Sequence, residues 1–71
     1  MGKRLTITNN IRKLRFHAGE MTQLDLAEKI GASRQTIVAL EAGKYTPSLE
    51  LAFRIAKVFE VPLEEVFECK T

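Results

Sequence analysis

The spacing of apolar positions changes along this chain, and each change marks an element. Leu5-Thr6-Ile7-Thr8 alternates and is rich in β-branched residues, which predicts a short strand. Beyond it the spacing lengthens to that of a helix over about 10–17. Ile11 and Leu14 point to one side, Arg12, Lys13 and Arg15 largely to the other, and Gly19 lies near the end. Asn9 and Asn10 are good caps for its start. Thr22 with Asp25 three residues on predicts a second helix, its carboxylate beside the positive end. Leu24, Ala27 and Ile30 continue that helix inward to Gly31, a left-handed stop. Ser33 caps a third helix that turns Ile37 and Leu40 inward and ends at Gly43.

After Pro47-Ser48 the apolar positions crowd together. Leu51, Ala52, Ile55, Ala56, Val58 and Phe59, with Leu49 and Phe53, cover more than half of a helix running to about Phe59. Only Glu50, Arg54 and Lys57 form a polar stripe. A helix that apolar touches more than one neighbour and belongs at the centre of the core. Pro62 fits the first turn of a fifth, one-and-a-half-turn helix through Phe67, and residues 67–71 suit a second strand. The expected fold is all-α, five helices with short N- and C-terminal β-strands, and no internal repeats.

Composition narrows the class. With 71 residues, 45% hydrophobic and 28% charged, the chain is expected to form one folded domain over 1–71. A chain this small buries only about 60% of its unfolded surface, so self-association is a natural source of extra stability. The net charge of +2 is unevenly spread. Residues 1–46 carry eight Lys and Arg against four acids, whereas 47–71 carry three against five. A basic N-terminal part suits a polyanion.

The single cysteine, Cys69, excludes an internal disulfide and fits a reducing interior. With no apolar run near the ~18 residues of a membrane span and no signal-peptide stretch, a cytoplasmic protein without a membrane partner is expected. Residues 1–6 match the short myristoylation pattern, but a plain basic terminus explains them as well. His17 and Cys69 lie at opposite ends without spaced partners, so no metal or other cofactor is expected. Glu64, Glu65 and Glu68 read as an acidic surface, and no base accompanies a nucleophile, which argues against an enzyme. No small-molecule ligand is evident.

From about 23 to 42, two short helices flank the tight turn Gly31-Ala32-Ser33, with small Ala27 at their crossing: a helix-turn-helix. The segments T-Q-x-x-L-A, G-x-S-R-Q-T-I, E-x-G-K-x-x-P-S and I-A-x-x-F resemble the phage-repressor and Cro-like family of helix-turn-helix transcription regulators. The resemblance covers about residues 9–67 and is closest to short members with little beyond the DNA-binding domain. It implies a five-helix subunit, typically a homodimer, whose terminal strands form a small sheet.

Physical chemistry supplies roles for those residues. The major groove admits one α-helix, whose first residues reach base edges. Arg34 can bond guanine bidentately, Gln35 can do the same for adenine, and Ala39 is small enough to lie against a thymine methyl. Gln23, Ser33, Thr36, Lys44, Tyr45 and Thr46 are the expected phosphate contacts, which set register without reading sequence. Tyr45 serves equally well as a cover for the core edge. Glu41 would repel phosphate and is expected in an internal ion pair or hydrogen bond.

Leu63, Val66, Phe67 and Cys69, within about 59–71, are the expected dimer contact, with completion of the monomer's core as the alternative. The function expected is that of a homodimeric repressor of transcription on a palindromic double-stranded DNA site. An antitoxin with a toxin partner and a structural interaction domain are the rival classes. Neither a long tail for wrapping a toxin nor acids at 34, 35 and 44 are present.

Overall fold

The structure is a computed structural model and describes residues 6–70, the side chain of Lys70 excepted. In chain order it contains β1 (Thr6–Asn9), α1 (Ile11–His17), α2 (Gln23–Ile30), α3 (Arg34–Glu41), α4 (Leu49–Phe59), α5 (Leu63–Val66) and β2 (Phe67–Lys70). Five helices and two short strands match the architecture expected. The predicted strand start at Leu5, the basic Lys3 and Arg4, most of the myristoylation pattern, and Thr71 lie outside the described residues.

Three helices, α2, α3 and α4, begin where hydroxyl caps satisfy free backbone N–H groups. Thr22 Oγ1 accepts from Asp25 N (2.9 Å), while Thr22 N donates to the Asp25 carboxylate (3.2 Å), a reciprocal box at the start of α2. Ser33 and Ser48 accept from the N–H of Thr36 and Leu51 and open α3 and α4. At α1 the work falls to Asn9, whose Oδ1 accepts from Ile11 N (3.1 Å). Asn10 instead turns its amide to Glu65 O and the Glu68 carboxylate, joining the start of the chain to its end.

Ile11, Leu26, Ala27, Ile30, Ile37, Leu40, Ile55, Ala56 and Val66 form one buried cluster to which every helix contributes. Two expectations need correction. Leu24 is 51% exposed and Leu26 takes the inward place. At 100° per residue Leu24 lies about 60° beyond Ala27, outside the arc that Leu26, Ile30 and Ala27 define. On α4, Leu49 and Phe53 are also exposed, so the buried arc is Ala52, Ile55 and Ala56, flanked by Leu51, Val58 and Phe59. That arc still serves two neighbours, α2 and α5.

α5 is shorter than expected, because Phe67 leaves the helix in extended conformation and begins β2. The strands pair antiparallel within the chain, with Thr6 opposite Lys70, Ile7 opposite Cys69, Thr8 opposite Glu68 and Asn9 opposite Phe67. Val66 is 0% exposed and is a core residue of the monomer. Its expected place in a dimer contact is therefore withdrawn, since no partner can reach a side chain already enclosed by its own domain.

Candidate nucleic-acid interface

Three residues connect α2 to α3. Gly31 ends α2 at φ 73°, a left-handed conformation open to glycine at little cost, and Ala32 N donates back to Ala27 O (2.9 Å). Arg54 of α4 donates from Nη1 to Ile30 O (3.2 Å), placing a cation at the negative end of α2. Ser33 then caps α3, and its Oγ lies 3.0 Å from Thr36 Oγ1.

The C-terminal end of α3 is fastened to the N-terminal part of the chain. Asn9 Nδ2 donates to Leu40 O (2.8 Å). Arg15 of α1 grips Glu41 with two bonds, Nε to Oε2 at 2.7 Å and Nη2 to Oε1 at 3.1 Å. It also donates to Met21 O (2.8 Å). Gln23 Nε2 donates to the same Glu41 oxygen (3.1 Å), so one carboxylate ties α1, α2 and α3 together. The Arg15 and Glu41 side chains are only 13% and 11% exposed, which strengthens their attraction and makes loss of either partner costly. Glu41 thus holds the internal ion pair expected of it.

With both ends held and Ile37 and Leu40 buried, the rotation of α3 about its axis is settled. Arg34 and Gln35 stand exposed at its first turn. Successive 100° steps place Val38 between Arg34 and Gln35 on the outward arc, with Ala42 beside it and half-buried Ala39 at its edge. Val38 is 41% exposed. Sequence reasoning missed this residue, though helical period alone would have found it: it lies one turn beyond Arg34 on the same face.

The expected phosphate contacts divide into two groups. Lys44, Tyr45 and Thr46 are exposed on the loop after α3, which Gly43 opens at φ 74°. Tyr45 borders one groove with Thr36 and Arg54 and another with Ile7 and Phe67, so its ring covers an edge of the fold while remaining half open to solvent. Gln23, Ser33 and Thr36 are already engaged, the first with Glu41 and the other two with each other. What they offer a phosphate is remaining hydrogen-bonding capacity and, at Gln23, the first N–H of α2.

Asp25 stands exposed at that same helix start. The Thr22 backbone N–H, then the Thr22 hydroxyl, hold its carboxyl below the ordinary value of 3.8. Among the described residues no cluster of three or more His, Cys, Asp or Glu could hold a metal, and no helix is long and apolar enough to cross a membrane.

A short helix held across a second one, with long polar side chains outward at its first turn, defines a helix-turn-helix DNA-binding domain. The Helix-turn-helix family model matches residues 11–66, and the chain belongs to this Cro/C1-type family of DNA-binding transcriptional regulators, which are not enzymes. It is 56% identical over 57 residues to an uncharacterised HTH-type transcriptional regulator of Methanocaldococcus jannaschii, covering 78% of this chain and 86% of that one. It is 34% identical over 59 residues to the cryptic phage CTXphi transcriptional repressor of Vibrio cholerae, covering 83% of this chain and 52% of the repressor. The crystal structure of a candidate DNA-binding protein from Bacteroides fragilis superposes with a TM-score of 0.75 at 26% identity, covering 87% of this chain and 98% of that one.

Proposed function

We propose that this regulator is a cytoplasmic homodimeric repressor that binds a palindromic operator through the major groove and acts by occluding it. The observation that carries the reading is the outward pair Arg34 and Gln35 on a helix whose opposite face, Ile37 and Leu40, is locked into the core. Arg34 takes guanine, Gln35 takes adenine, and Lys44, Tyr45 and Thr46 grip the backbone beside them. Gln23, Ser33 and Thr36 add contacts at the two helix starts. The similarity to a phage repressor supports the direction of control. The toxin-partner alternative gains no support from the relatives, which are named as transcriptional regulators.

The dimer contact in this reading uses Leu63, Phe67 and Cys69. The strand register adds Ile7, which faces Cys69 across the ribbon and is 52% exposed. Two subunits joined there present two recognition helices to half-sites about 34–36 Å apart, one turn of DNA. Selection of bound sites from random duplexes, run at two salt concentrations, tests the whole proposal. It is expected to return an inverted repeat with G and A in each half-site. Equal retention of all sequences would sink it.

A further inference from the structure

We infer that Val38 is a reader of pyrimidine C5-methyl groups, so that the protein distinguishes methylated from unmethylated pyrimidines at one step of each half-site. The inference rests on the major-groove reading above and assigns a ligand chemistry to a residue that reading leaves unused. Val38 is a β-branched, apolar side chain 41% open to solvent in the middle of the outward arc of α3. It makes no contribution to the core cluster, whose α3 members are Ile37 and Leu40. Helical propensity does not explain it either, since alanine is the better helix former at an exposed position.

Its neighbours say what it meets. Arg34 and Val38 are one turn apart on the same face, so when the guanidinium lies along a guanine edge, the isopropyl group lies over an adjacent base pair. Val38 has neither donor nor acceptor, so the base feature it can match there is the one apolar group of the major groove, a methyl at pyrimidine C5. Ala39, the methyl contact expected from the sequence, is half-buried at the edge of the arc and offers less surface. Thymine and 5-methylcytosine both carry this methyl, and Val38 does not tell them apart by itself. Cytosine methylation inside an operator is therefore a change this surface can sense.

The test uses the full chain and the operator recovered by selection, substituting one pyrimidine at a time. Replacing thymine by uracil removes the methyl and leaves the hydrogen-bonding edge intact. At one position per half-site it is expected to weaken binding about fourfold, the equivalent of one buried methyl group. Val38→Ala, which keeps the helix and withdraws most of the apolar surface, should lose most of the preference for thymine over uracil at that position. In a second arm, a duplex with cytosine there should gain a similar factor on conversion to 5-methylcytosine with the wild-type protein and a much smaller one with Val38→Ala. A thymine-to-uracil loss that persists undiminished in Val38→Ala, or no loss at any position, overturns the inference even where the operator is still selected. Failure to select any operator overturns the major-groove reading itself.

Discussion

A guanidinium that reads a base and an ammonium that grips a phosphate fail in different ways when removed. Arg34→Ala should cost about 1–3 kcal/mol on the selected operator and relax the choice of one base pair. Lys44→Ala should weaken every duplex to a similar degree and flatten the dependence of log affinity on log salt by about one unit. Titrations of both variants on operator and random duplexes at several salt concentrations separate the two; identical losses on both duplexes for both variants would sink the division of labour. Glu41 has a different part. Glu41→Ala leaves Arg15 nearly buried without its partner and should cost roughly 3 kcal/mol in urea unfolding, the low end for a buried pair because some solvent still reaches it. That Glu41 turns inward was legible, since an acid beside phosphate is repelled. Its partners were not, because Arg15 and Gln23 lie 26 and 18 residues away on other elements and nothing local specifies the meeting. Val38 was overlooked for a related reason: an apolar residue in an amphipathic helix is assigned inward by default unless its angle is worked out.

Elements with hydroxyl caps were the most legible, because the signal and its effect lie within one turn. Thr22 and Ser33 each cap the helix that the sequence assigned to them, and Ser48 caps the helix that follows Pro47. Ser33→Ala should destabilise the domain by about 1 kcal/mol and loosen the first turn of α3, which carries Arg34 and Gln35. At α2 the cap is titratable. The Asp25 carboxyl sits below its ordinary 3.8 because it accepts from Thr22 when ionised. Its contribution is therefore complete above that value and is lost as pH falls through the lowered one. Thermal melts of wild type and Asp25→Ala should differ at neutral pH and converge in acid. A gap that widens on acidification would contradict the assignment. Where caps compete the sequence was ambiguous. Asn9 and Asn10 are equally good candidates locally, and only the approach of α5 and β2 draws Asn10 away.

At the scale of the whole molecule, the strands decide what the termini are for. Alternating residues at both ends specify two strands but not whether they pair within one chain or between two, since either arrangement satisfies the same backbone groups. In the structure they pair within the chain, which leaves Ile7 and Cys69 side by side and exposed, while Val66, the residue before β2, is sealed in the core. A dimer through this face needs the ribbon's surface rather than its hydrogen bonds. Ile7→Lys puts a charge there at a half-exposed position, so the monomer's stability should change by no more than about 0.5–1 kcal/mol. Sedimentation should nevertheless shift toward monomer at micromolar concentration. Affinity for a full palindrome should fall by about a hundredfold or more, toward that for a single half-site, because the second contact is no longer held at high effective concentration. Affinity for an isolated half-site should not change, since α3 is untouched. A variant that remained dimeric and bound the palindrome as tightly as wild type would place the two-fold axis elsewhere, with the exposed Leu49 and Phe53 of α4 as the next surface to examine.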